Sequence, residues 1–132
     1  MPYLLDTDIV SDLMRHPHGK VAQRIAQTNT EDVVTSIVVA AELRFGVVRK
    51  GTSRLIERLE AVLSEIEILP LSEPADRAYA EIRADLEQRG ALIGPNDLLI
   101  AAHALALGCT LVTNNEREFA RVKSLKVENW LR

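Results

Sequence analysis

Short apolar runs alternate with segments of helical period along this chain, and that alternation limits its fold more than any single residue does. YLLD (3–6), DVVTS (32–36), IEILPL (66–71) and TLVT (110–113) read as short strands, with LKVENW (125–130) as a brief fifth. Between them, the spacing of apolar residues predicts helices over Thr7 to Arg15, Gly19 to Thr28, 38–50, 53–66, Glu73 to Gln88 and Asn96 to Leu107, with a helical turn or two over 116–122. Ser36 stands where it can cap the helix over 38–50, while Gly94-Pro95-Asn96-Asp97 opens a helix that Gly108 stops. The expectation is an α/β domain with a central parallel sheet of four or five short strands and helices on both faces. No repeat, linker or low-complexity stretch interrupts the pattern.

Function in such sheets collects at the carboxyl ends of the strands, where the chain turns into helices. This chain places acids there. In YLLDTDIVSDLM, Asp6 closes the first apolar run, Asp8 follows it and Asp12 lies one helical turn further on. Thr113 to Glu118 follow the fourth run, and Glu42 and Asp97 lie early in their helices. All can converge on one edge.

Each acid also has a structural reading. Asp6 can cap the helix that starts at Thr7, and Asp97 stands where caps stand, although Asn96 can do that work instead. Asp8 and Asp12 are spaced as outward-facing residues, with Asp12 expected in solvent, and Glu118 in EREFARV reads as a surface residue. Glu42 is different, because VVAAELRFGV surrounds it with apolar residues on nearly every helical face. A buried carboxylate needs a cation or a proton. A metal shared with Asp6 and Asp97 would supply the cation, and oxygen ligands of this kind suit Mg²⁺ or Mn²⁺ rather than zinc. No cluster of His and Cys competes: His16 and His18 flank a proline, and His103 reads as helix packing.

Composition narrows the classes. With 132 residues, 47% of them hydrophobic, the chain makes one domain, 1–132. The single cysteine, Cys109, has no partner for an intramolecular disulfide, and no apolar run approaches the roughly 18 to 20 residues of a membrane span. The expectation is an unprocessed protein of the cytoplasm. A net charge of −3 argues against coating nucleic acid by bulk charge, so any such contact must be local or metal-assisted. Arg44, Arg49, Lys50 and Arg117 are candidate phosphate contacts or, equally, solvated surface charges.

Four ordered blocks, LLDTDIVSDL, AELRFGV, GPNDLLIAAHALALG and TLVTNNEREFARV followed by VENW, make nearly the whole chain resemble the PIN-domain ribonucleases, most closely the VapC toxins of bacterial toxin–antitoxin pairs. The resemblance implies a metal held by Asp6, Glu42, Asp97 and Glu118, with Thr7, Asp8, Thr113 and Asn115 around them. Many members carry Asn where this chain has Asp8 and Asp where it has Glu118. The first departure adds a candidate ligand; the second puts the fourth position in question. An RNA substrate such as a tRNA, a cognate antitoxin and a homodimer are implied as well. Apolar helix surface around Val38 to Val48 or Leu55 to Leu63 is available to the antitoxin. The chemistry agrees: hydrolysing a phosphodiester needs an activated water and stabilised charge on the phosphoryl oxygens, and one or two divalent ions, about 4 Å apart if two, supply both.

Three rivals stand beside this reading. DTDIV also fits the signature of haloacid dehalogenase-like phosphatases, with Asp6 as nucleophile, but the lysine and later acidic pair of that family are missing. A phospho-receiver module needs an acid at the end of a central strand, where VVTS and EILPL offer none. A PIN-like module that binds RNA or protein without cleaving would not need all four acids.

Overall fold

The computed structural model describes residues 2–132. Five strands, β1 (Tyr3–Leu5), β2 (Val33–Ser36), β3 (Glu67–Leu69), β4 (Thr110–Val112) and β5 (Val127–Glu128), form one parallel sheet in the order β3-β2-β1-β4-β5. Helices α1 (Thr7–Arg15) and α2 (Lys20–Ala26) join β1 to β2, and α3 (Ile37–Lys50) and α4 (Ser53–Ser64) join β2 to β3. Then α5 (Ala75–Gln88) and α6 (Pro95–Leu107) cross back to β4, and the single turn α7 (Glu116–Phe119) leads to β5. Because β3 to β4 reverses the direction of travel, right-handed crossovers put α5 and α6 on the face opposite α1 to α4. The sheet is therefore covered on both sides, as the apolar runs require.

β1 is the middle strand, and its registers place Leu5 beside Thr35 on one side and Val112 on the other. Leu4, Leu5, Leu111 and Val112 are fully buried, and they pack with Ile9, Val10, Leu59, Leu86, Ile100 and Phe119 into one core. A switch in strand order lies where the chain leaves β1 for β2 while β4 fills the other side. Asp6 and Thr113 are the first residues beyond the two strands at that point.

Several boundaries move for local reasons. The run IEILPL yields only Glu67–Leu69, since Pro70 has no N–H for the ladder. α6 begins one residue before Asn96, with Pro95 at its first position, where a missing N–H costs nothing. The helix expected from Glu73 starts at Ala75, immediately after Pro74, and the one expected to reach Ile66 stops at Ser64. Gly108 ends α6 at φ 68, a left-handed conformation that glycine adopts without strain.

Asp12 corrects the sequence reading. It is 7% exposed rather than solvated. The tight connection into α2 folds over it: His16 N–H donates to the Asp12 carbonyl at 2.7 Å, and a Cβ at Gly19 would lie 3.9 Å from Asp12 Oδ2. The periodicity of α1 alone carries no sign of that covering turn.

Candidate active site

Asp6 ends β1 and begins α1 in extended conformation. Its Oδ1 accepts the Thr7 N–H at 2.8 Å, and its Oδ2 accepts the Thr113 hydroxyl at 2.7 Å. The cap and the site are thus one residue: one oxygen closes the helix and the other faces β4. Burial pushes the Asp6 carboxyl up to about 6; the Asp8 and Glu42 charges add to this, and the bonds from Thr113 and Thr7 oppose it. Thr113 is fixed in turn, its oxygen accepting the Asn115 N–H at 3.0 Å.

Glu42, in the second turn of α3, accepts the Thr7 hydroxyl at 2.8 Å. It is half-buried, and its partner is a hydroxyl rather than a cation. Its apolar helical neighbours Ala41 and Phe45 face outward, Phe45 being 64% exposed, and this is why the sequence overstates the burial of Glu42.

Asp97 is the third residue of α6, and it caps nothing: the cap position is Gly94, and no side chain, Asn96 included, bonds the free N–H groups there. It turns to Glu118 instead. Burial, a hydrogen bond to Glu118 and the charges of Glu118, Asp6 and Glu42 raise Asp97 to about 7. Burial would raise Glu118 too, but the Gly94 N–H at 3.0 Å, the hydrogen bond from Asp97, the Asn115 amide at 2.6 Å and the Arg121 charge outweigh it and lower the Glu118 carboxyl. The two carboxyls are thus pushed in opposite directions, Asp97 up and Glu118 down. Glu118 is half-buried and held on three sides rather than free at the surface.

Asp8 lies at the rim. Its Oδ2 accepts the Asn114 N–H at 3.1 Å, while its Oδ1 is buried with no hydrogen-bond partner. Burial raises this carboxyl as well. Asp6, Glu42, Asp97 and Glu118 thus share one electrostatic site, drawn from β1, α3, α6 and α7. Among the described residues, no three acids, histidines or cysteines already stand at the spacing of a closed ligand cage.

Gly94 escaped the sequence reading as part of the site. Its N–H holds Glu118, and a Cβ there would lie 3.7 Å from Asp97 Oδ2 and 3.9 Å from Glu118 Oε1. A glycine before a helix-opening proline near an acid was the available signal. The histidines stay outside the site: His16 and His18 are exposed, and His103 is buried with Nδ1 2.7 Å from the Ser36 hydroxyl. Arg44 pairs with Glu60, and Arg49 lies over the Phe45 ring.

Residues 3–125 match the PIN domain, and the chain belongs to the PIN-domain family. Within it, the relatives are VapC ribonucleases. Ribonuclease VapC2 of Rickettsia felis is 42% identical, with 98% of each chain covered. The tRNA(fMet)-specific endonuclease VapC of Shigella flexneri is 34% identical at the same coverage. The crystal structure of VapBC2 from Rickettsia felis bound to a DNA fragment from their promoter contains a chain that superposes with TM-score 0.90 at 40% identity, covering 98% of this chain and 99% of that one. Family membership sets aside the phosphatase reading of DTDIV and the phospho-receiver reading.

Proposed function

We propose that this protein is a metal-dependent RNA endonuclease, the toxin of a toxin–antitoxin pair, with Asp6, Glu42, Asp97 and Glu118 holding Mg²⁺ or Mn²⁺. The observation that carries the metal reading is the cluster of acids that, among the described residues, form no ion pair: two carboxyls are pushed up to about 6 and about 7 in one small site. The buried, unpartnered Asp8 Oδ1 beside them fits a further oxygen ligand, direct or through water. RNA hydrolysis is supported by the ribonuclease and endonuclease names of whole-length relatives.

A bound divalent ion would activate the attacking water and neutralise charge on the phosphoryl oxygens. The protein's own part is to aim. Thr113 and the Thr7 N–H fix the Asp6 carboxylate, and the Thr7 hydroxyl fixes Glu42. Gly94 and Asn115 hold Glu118 beside Asp97. Burying Asp6 beneath Thr113 keeps its orientation independent of solvent.

A cognate antitoxin partner is supported by the VapBC2 neighbour, a tRNA substrate by the Shigella relative's name, and a homodimer by the sequence resemblance alone. Among the described residues, no helix is long and apolar enough to cross a membrane; a cytoplasmic site of action belongs to the same reading. The deciding experiment sequences RNA 5′ ends after brief induction of wild type and Asp6→Asn. New ends that appear only with wild type support the nuclease; identical profiles sink it.

A further inference from the structure

A second feature adjoins the acidic site and carries the opposite charge. Between α1, the C-terminal half of α3 and the start of α4 lies a cleft of about 300 Å³ whose charged and hydroxyl lining includes Ser11, Arg15, Glu42, Arg49, Lys50 and Arg58. Four cations and one carboxylate thus line it, in a chain whose net charge is −3. Thr7 and Glu42 form its boundary with the acids, so the two features share a wall.

Among the described residues, these cations form no ion pair. Ion pairs among the described residues engage Arg24, Arg44, Arg83, Arg89, Lys123 and Arg132, and none of the cleft's four. Their placement in the last turns of α1 and α3 suits the helix dipoles, which accounts for charge at those ends. It does not account for Arg58, in the first half of α4, aimed into the same space. The floor, of Met14, Leu43, Val47 and Leu55, lowers the local dielectric and strengthens each charge above it. The volume suits on the order of ten waters, or a phosphodiester with its ribose.

We infer that this cleft binds the backbone phosphates of the RNA segment flanking the scissile bond, with Arg15, Arg49, Lys50 and Arg58 as positioning residues. The inference rests on the nuclease reading and gives its substrate a direction: the strand crosses the acids at Glu42 and runs on between α1 and α4. An acidic protein segment is the competing occupant, but the shared wall with the acids and the supply of Arg side chains, each able to grip a phosphate by two N–H groups, favour RNA.

The test uses the intact protein carrying Arg49→Gln with Arg58→Gln, and separately Gly46→Glu. The latter adds an anion at a helical position where a Cβ meets nothing within 4 Å. Arg83→Gln on α5 is the control. Binding of a short fluorescein-labelled single-stranded RNA is measured against salt, and cleavage of unfractionated tRNA is measured alongside. The double variant should bind about tenfold or more weaker, lose roughly 0.7 in the slope of log K against log salt for each phosphate contact removed, and raise KM more than it lowers kcat. Gly46→Glu should do the same, and Arg83→Gln should match wild type. Unchanged binding, slope and KM in both cleft variants would overturn the cleft while wild-type cleavage leaves the nuclease reading intact. Weakened antitoxin binding with unchanged RNA binding would also overturn it, in favour of the protein segment. If wild type binds RNA through these residues but never cleaves, the cleft stands and the nuclease reading falls.

Discussion

Asp85 and Asp97 lie on two helices packed against each other, α5 and α6, and they show opposite treatment of the same side chain. Asp85, near the end of α5, meets Arg89 at 2.6 Å and Lys123 at 3.8 Å, and its carboxyl is lowered, chiefly by the hydrogen bond from Arg89. Asp97, at the start of α6, meets only other acids and is raised to about 7. The fold readily supplies cations to carboxylates, as six surface ion pairs show. None of those pairs involves Asp6, Glu42, Asp97 or Glu118, and a metal can take the place of the missing partners.

The largest effect expected from this contrast is on turnover. Asp97→Asn and Asp6→Asn should each lower RNA cleavage by roughly 100-fold or more, because each keeps the shape but removes a metal-binding charge. Asp85→Asn should leave cleavage within about twofold. Equal rates for Asp85→Asn and Asp97→Asn would erase the distinction between the two regions.

Metal binding comes next. Mn²⁺ at about 100 times its dissociation constant should stabilise wild type and Asp85→Asn by roughly 2.7 kcal/mol per ion, and Asp97→Asn by clearly less, read as thermal melts with metal and with chelator. Glu118→Gln should weaken metal binding less than Asp97→Asn, and Asp8→Asn should be tolerated. Calorimetric titration ranks all three, and loss of binding in Asp8→Asn alone would move the fourth ligand position to Asp8.

A smaller effect concerns pH without metal. Asp97 is raised above its unfolded value of 3.8 to about 7, so the unfolded chain releases this proton first as pH rises. Stability of the metal-free protein should therefore fall between about pH 4 and pH 7 as this site ionises. Asp97→Asn, whose amide can still donate to Glu118, should lessen that fall and melt a few degrees higher near neutral pH, about 1 kcal/mol in a domain of this size after allowance for partial exposure. A lower melting temperature in chelator would mean that Asp97 is a structural partner. Metal affinity should rise over pH 6 to 7 as Asp6 and Asp97 lose their protons. The smallest effect is Asp85→Asn on melting temperature, where no change beyond measurement error is expected for so exposed a pair.

The strand and helix order was legible because period and turn residues are local signals: Ser36 does cap α3, and Gly108 does end α6. The positions of Asp6, Glu42, Asp97 and Glu118 near one edge could be read from their places beside strand ends and helix starts. What could not be read depends on contacts between distant segments. Asp12 is covered by a turn that its own helix does not reveal, and Glu42 is less buried because the apolar residues beside it face outward. Gly94 matters only once α7 swings Glu118 onto its N–H. Arg58 joins Arg15 and Arg49 only because α4 returns across α1.

The place of β1 in the sheet also governs when the acidic site can form. The middle strand is made first, but one of its neighbours, β4, is encoded more than a hundred residues later, together with Thr113, Asn115 and Glu118. A nascent chain still on the ribosome carries Asp6, Glu42 and Asp97 without the strand that orients the first or the acid that pairs with the last. A chain stopped after Leu107 should accordingly bind no Mn²⁺ at this site. The orientation of Asp6 thus waits for β4, a strand made more than a hundred residues after the one that carries this acid.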